Sequence, residues 1–177
     1  EEKQDLNLLG GYRSELRNYM KDQDIHVHQD FHHLNSSQAA CLNFFYPMIA
    51  DNQIRLLLEL LHLDHESAEQ VAFEKVLSKK EGTNFDFYMK LKSGKQIFFE
   101  IKYTEDGFGK AADTETYRRK YENVYKERLA GKIQNVGEEY RTLIDNYQLL
   151  RNISYVDVRR NDLLIVICPR DNKKLHQ

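Results

Sequence analysis

Residues 83–105, TNFDFYMKLKSGKQIFFEIKYTE, read as a β-hairpin around which the rest of the chain is organised. Phe85, Phe87, Met89 and Leu91 alternate with Asp86, Tyr88 and Lys90. Ile97, Phe99 and Ile101 alternate in the same way with Phe98, Glu100 and Lys102. That is the period-two pattern of half-buried strands. A one-residue slip would send one apolar set to the opposite face, so the odd-numbered sets are expected to share a face and paired residue numbers to sum to an even value. A three-residue loop, Lys92-Ser93-Gly94, with Gly94 left-handed, supplies this register. Leu91 is then opposite Lys95, and Asp86 opposite Glu100.

Two carboxylates facing each other across antiparallel strands have Cβ atoms roughly 5 Å apart and repel unless a cation is shared. Lys102 follows Glu100 on the same face, beside the edge where Thr104, Glu105 and Asp106 leave the sheet. A divalent metal is the obvious shared cation. Acid-x-Lys triplets also occur at Glu1 and Asp171, about as often as chance supplies them, so spacing alone carries little. Only Glu100 sits on a strand with an acid upstream.

Asp86 with Glu100-Ile101-Lys102 resembles the PD-(D/E)XK nuclease superfamily, the restriction-endonuclease-like fold, departing from it in having Phe85 where Pro is usual. The phrases HLNSSQ at 33–38 and EGTNFDF at 81–87, with Tyr103-Thr104-Glu105, resemble one bacterial subgroup, and the likeness extends over most of residues 33–109. It implies an α/β fold with an αβββαβ core, a mixed central sheet flanked by helices. It also implies a Mg²⁺- or Mn²⁺-dependent nuclease. Asp86, one Glu100 oxygen and the Ile101 backbone carbonyl would hold the metal, and Lys102 would orient the attacking water or stabilise charge on the phosphate. The products would carry 5′-phosphate and 3′-hydroxyl ends. A supplementary acid in the superfamily often comes from the first helix, where Glu59 is the one available; Glu74 is the other candidate.

With 177 residues, 41% hydrophobic and 31% charged, the chain suits one globular unit, read as an N-terminal arm (1–35) and a core (36–177). A net charge of −2 does not advertise a nucleic-acid binder, so the placement of Lys and Arg matters more than their sum. Cys41 and Cys168 lack metal-ligand spacing, and no run reaches membrane-spanning length, so a reduced cytoplasmic compartment is expected. Self-association as a homodimer is left open.

Along the chain, a short helix is expected over Tyr12–Met20. A second runs over Gln38–Tyr46, capped by Ser36 or Ser37 and ended by Pro47. A core helix over Asp51–Leu61 carries Ile54, Leu57, Leu58 and Leu61, with His62 and His65 at its end. His26, His28, His32 and His33 invite a metal reading, but no carboxylate or Cys stands at ligand spacing, and a His-rich surface loop is the plainer account. Gln70–Leu77 is the first core strand, with Glu74 read as facing solvent unless it serves the site.

Beyond the hairpin, Asp106-Gly107-Phe108-Gly109-Lys110 is a glycine-rich turn. The helix Asp113–Leu129 that follows carries Tyr117, Tyr121 and Tyr125 at i, i+4, i+8, read as a packed face. Its basic flank, Arg118, Lys120 and Lys126, is the expected phosphate grip, with Ser36 and Ser37 offering a helix N-terminus. A helix over Glu138–Asn152 is expected to bury Leu143, Ile144, Tyr147 and Leu150 and to expose Gln148 and Arg151 toward nucleic acid. Some exonuclease-like relatives carry Gln followed four residues on by Tyr here, a motif that Asn152 breaks. Leu163–Cys168 suits a strand buried on both faces.

The leading expectation is a metal-dependent DNA endonuclease of restriction or defence type. The alternatives are a nucleic-acid-binding or scaffold module that has kept the fold without the activity, and a protein binding metal through residues 26–33.

Overall fold

The computed structural model describes residues 5–78, 83–133 and 139–175. Three helices come first: α1 (Arg13–Asp22), α2 (Ser37–Ala50) and α3 (Ile54–Leu60). Strands β1 (Ala68–Ser78), β2 (Thr83–Leu91) and β3 (Gln96–Ile101) follow. A helix interrupted at its centre comes next, as α4 (Glu115–Lys120), a π-helical turn (Tyr121–Tyr125) and α5 (Lys126–Leu129). The chain then forms α6 (Glu139–Asp145), α7 (Tyr147–Tyr155), a 3₁₀ turn (Val158–Arg160) and β4 (Leu163–Ile167).

The sheet order is β1-β2-β3-β4, antiparallel through β3, with β4 added parallel to β3. This is the mixed α/β architecture, helices flanking a four-stranded mixed sheet, of a restriction-endonuclease-like core. The hairpin has the expected register. Phe87 pairs with Phe99 and Met89 with Ile97, while Leu91 N–H donates to Lys95 O at 2.9 Å and Gly94 takes φ +90°.

One face of the sheet packs on α1–α3. Phe45 of α2 stacks on Phe87 at 3.9 Å and meets Phe99 edge-on. Leu8, Leu16, Met20 and Phe31 are buried in this same core, so the described part of the N-terminal arm, from residue 5, packs into it. The other face packs on α7 and the segment after it through Phe85, Tyr88, Phe98 and Tyr155.

Phe85 therefore departs from expectation. It lies against Phe98 (4.5 Å) and Tyr155 (5.9 Å), opposite to the face of Phe87. The cause is Glu74, across from this point on β1, whose φ of +48° interrupts the regular alternation. Phe73 stays with Phe87, whereas Lys75, two residues on, places its ammonium over Tyr88 on the far face.

Four further expectations are corrected. Pro47 lies inside α2, which runs on to Ala50 because Leu42, Phe45 and Tyr46 are held by the core and Pro47 O still accepts from Asp51 N–H. The helix expected over Glu138–Asn152 is broken at Asn146, where Tyr147 and Gln148 N–H groups instead donate to Gly109 and Phe108 carbonyls at 3.0 Å; Glu138 itself lies outside the described residues. The 113–129 helix contains a π turn. β4 is half-buried because it borders β3 alone at the edge of the described sheet.

Candidate active site

Glu100, one residue before the end of β3, lies on the α7 face with its side chain 4% exposed, and Lys102 beyond it is 6% exposed. The pair is thus buried rather than screened by solvent. Lys102 Nζ stands 3.1 Å from Glu100 Oε1 and donates to Gln148 Oε1 at 2.6 Å. Gln148 Nε2 donates to the same Glu100 oxygen at 2.5 Å, and Asn152 Nδ2 donates to Oε2 at 2.9 Å. Four groups thus form a closed polar cluster, and one helical turn separates the two amides. Burying two charges is tolerable because each finds several partners.

The glycine turn orients this helix. Gly109, at φ +63°, brings the turn against α7, and a Cβ there would come within 3.8 Å of Gln148 Cβ. The Phe108 and Gly109 carbonyls occupy the first free amides of α7, which aims Gln148 at Lys102. Gln148 is half-buried and Asn152 only 1% exposed, which corrects the exposed placement of Gln148. Arg151 is also half-buried, its guanidinium 5.7 Å from the Tyr147 ring.

Asp86 lies next in the hairpin, where carrying the register one step past Phe87–Phe99 places it opposite Glu100. Its Oδ2 accepts the Ile101 N–H at 2.6 Å. Burial, then the nearby Glu100 charge, pushes its pKa up to about 8, against the opposing pull of the Ile101 amide and Lys102. Glu74 contributes further repulsion.

Glu74 does not face solvent. Its side chain is 16% exposed and accepts from Gln38 Nε2 (2.9 Å) and Asn84 Nδ2 (2.5 Å), with His28 Nε2 3.8 Å away. Burial raises its pKa, with those donors and His28 pulling the other way. Gln38 sits in the first turn of α2, whose N-cap is Ser36; Ser36 Oγ accepts from Ala39 N–H, so Ser36 rather than Ser37 caps. Glu59, by contrast, forms an i, i+4 pair with Arg55 on α3 and is not among the acids that perturb Asp86.

Asp86, Glu100 and Lys102 are therefore brought together, with Glu74 beside them and Glu59 elsewhere. The sequence did not point to Asn152; its signal was the i, i+4 spacing from Gln148, concealed because Asn replaces the Tyr of the related motif. Among the histidines, His28 approaches Glu74, while His26 turns to Asp24 and His32 meets His33. The expected phosphate grip is partly occupied by acids: Arg118 pairs with Asp113 at 2.9 Å and Lys126 with Glu122 at 2.9 Å, while Lys120 lies over Tyr117. Tyr121 and Tyr125 are buried, a packed face as expected.

Among the described residues no three His, Cys, Asp or Glu side chains form a ready metal cage. The donor set nevertheless fits a hard divalent cation. Mg²⁺ takes one or two carboxylates and completes its shell with water and substrate oxygens. Asp86 and Glu100 are oxygen donors in mutual repulsion, and among the described residues Glu100 Oε2 has one protein donor and the buried Asn152 Oδ1 has none.

No helix of the described residues is long and apolar enough to cross a membrane. Comparison with curated proteins and with solved structures gives no match. A family model described as Restriction Endonuclease associating with ARP matches residues 2–177. The chain, with its acid pair and lysine on a restriction-endonuclease-like hairpin, belongs to that family.

Proposed function

We propose that this chain is a metal-dependent DNA endonuclease of the PD-(D/E)XK type, acting in restriction or defence. The observation that carries the reading is the buried Glu100–Lys102 pair with Asp86 pressed against it. An extra buried carboxylate beside an ion pair weakens a fold unless a cation is to be bound there. Asp86, one Glu100 oxygen and the Ile101 carbonyl would hold Mg²⁺ or Mn²⁺, with Glu74 the supplementary acid. When bound, the metal would polarise a phosphoryl oxygen and acidify water. Lys102 places a compact charge where the phosphate gains negative charge, and Gln148 holds its Nζ there. Asn152 keeps the Glu100 carboxylate from rotating away.

Membership in an endonuclease family supports DNA as the substrate. The family's description joins these endonucleases to ARP, and the same association is proposed here. A homodimer would supply one site for each strand of a duplex. The competing reading, an inactive module with the same fold, is favoured by the three protein donors already on Glu100.

Incubation with supercoiled plasmid, linear duplex and single strands, in Mg²⁺, Mn²⁺ or chelator, separates the two. Metal-dependent cutting lost in Asp86→Ala and Glu100→Ala is the expected result. Absence of cutting by folded protein on every substrate and metal would leave the binding module.

A further inference from the structure

A second surface bears charge that the site does not use. A groove of about 740 Å³ runs between the end of α5 and the segment 154–160, lined by Arg128, Lys132, Tyr155, Arg159 and Arg160. Its acids are Glu127 and Asp157, and Asp157 is engaged by Arg159 N–H and by Arg160. Among its described lining residues basic side chains outnumber acidic ones, on a chain whose net charge is −2.

The groove is built rather than incidental. Asp162, its side chain fully buried, accepts from Gln96 N–H (2.8 Å), Asp157 N–H (3.0 Å) and Arg160 Nη2 (2.7 Å). These bonds tie the 3₁₀ turn to the start of β3 and use Arg160 as an anchor. Arg159 is left exposed on the same turn. On the other wall, Arg128 is exposed and lies over the Tyr155 ring at 5.3 Å. Lys132 Nζ donates to the Ser154 carbonyl at 3.0 Å near the end of α7.

One wall of the groove shares its packing with the site. Tyr155 meets Phe85 edge-on, Phe85 is the residue before Asp86, and Asn152 lies one turn earlier on the same helix.

We propose that this groove carries the sugar-phosphate backbone of the nucleic-acid substrate, with Arg128, Lys132 and Arg159 meeting successive phosphates and Tyr155 as its apolar floor. The assignment rests on the nuclease reading for the identity of the polyanion. It supplies what an acidic chain needs, a concentrated basic track, on the helix end one turn from Asn152.

The test is binding of duplex and single-stranded DNA in Ca²⁺ across a salt series, with cleavage in Mg²⁺ or Mn²⁺ measured in parallel. Each lost phosphate contact lowers the slope of log affinity against log salt by roughly 0.9 on duplex. Arg128→Ala with Arg159→Ala should flatten the slope by about two contacts' worth and weaken all sequences alike. Arg128→Lys with Arg159→Lys, which keeps the charge, should restore it, separating electrostatics from loss of Tyr155 packing. Arg118→Ala with Lys120→Ala is the comparison, and thermal melts confirm folding of each variant.

An unchanged slope in the Arg128/Arg159 variant, or a loss confined to the Arg118/Lys120 variant, overturns the groove even if the wild type cuts DNA. If the wild type binds and the groove variant loses the slope, while no substrate is cut with any metal, the groove stands and the nuclease reading falls. Wild-type protein that neither binds nor cuts removes both.

Discussion

Asn152 donates its side-chain amide to Glu100 Oε2 at 2.9 Å across 52 residues of chain, while its own Oδ1 stays buried with no donor among the described residues. A hydrogen bond to a buried charge is worth more than an ordinary one, and its loss leaves the carboxylate under-solvated. Asn152→Ala should therefore destabilise the fold by about 1–3 kcal/mol in urea titration. Asn152→Asp should cost more, because it sets a second carboxylate against Glu100. An aspartate variant as stable as wild type at pH 8 would contradict the contact.

Lys102 is both an ion-pair partner and the proposed charge at the phosphate. Removing one member of a buried pair typically costs about 3–5 kcal/mol, so Lys102→Ala should melt earlier and, where folded, lose turnover far more than DNA affinity. Lys102→Arg should restore little, since a planar fork does not fit where Gln148 Oε1 lies 2.6 Å from a point charge. Single-turnover rates beside Ca²⁺ binding curves give the comparison. Equal losses in affinity and rate would make Lys102 a phosphate anchor.

Asp86 makes a pH prediction whose sign is set by its raised pKa. An acid with folded pKa about 8 and an unfolded value of about 4 binds more protons when folded across that interval. Metal-free stability should then fall as pH rises from about 4 to about 8. Asp86→Asn should remove this fall and raise Tm at pH 8 by roughly 2–4 °C for each kcal/mol recovered, while abolishing activity. Scanning calorimetry in chelator at pH 5 and pH 8 checks it; a Tm difference between the two proteins that is the same at both pH values would refute it.

Glu74 combines a φ of +48° with two donors on its carboxylate. Alanine loses the bonds and keeps the strain; glycine loses the bonds and relieves the strain, which is about 1–2 kcal/mol for an L-residue held left-handed. Glu74→Gly should hence be more stable than Glu74→Ala by about 1 kcal/mol, the reverse of the usual order within a strand. Chemical denaturation of the two variants decides.

What the sequence determined by itself was local or periodic. Alternation along 83–105 and the freedom of Gly94 specify the hairpin and its register, because a slip would expose one apolar set. That register is enough to gather Asp86, Glu100 and Lys102. Helix existence was legible from spacing in α1, α2 and α3.

Tertiary contact decided the rest. Pro47 stays helical because the core holds the residues around it, which outweighs one missing amide. Phe85 crosses to the other face because Glu74 bends the paired strand, and no pattern in β2 records a distortion that originates in β1. Gln148 and Asn152 meet Glu100 from 48 and 52 residues away, and a polar residue on a helix reads as solvent-facing until the element opposite it is known. The Asp86–Glu100 pairing is thus a property of one hairpin, whereas the clamp on Glu100 exists only once α7 docks and shared burial makes each of its hydrogen bonds strong.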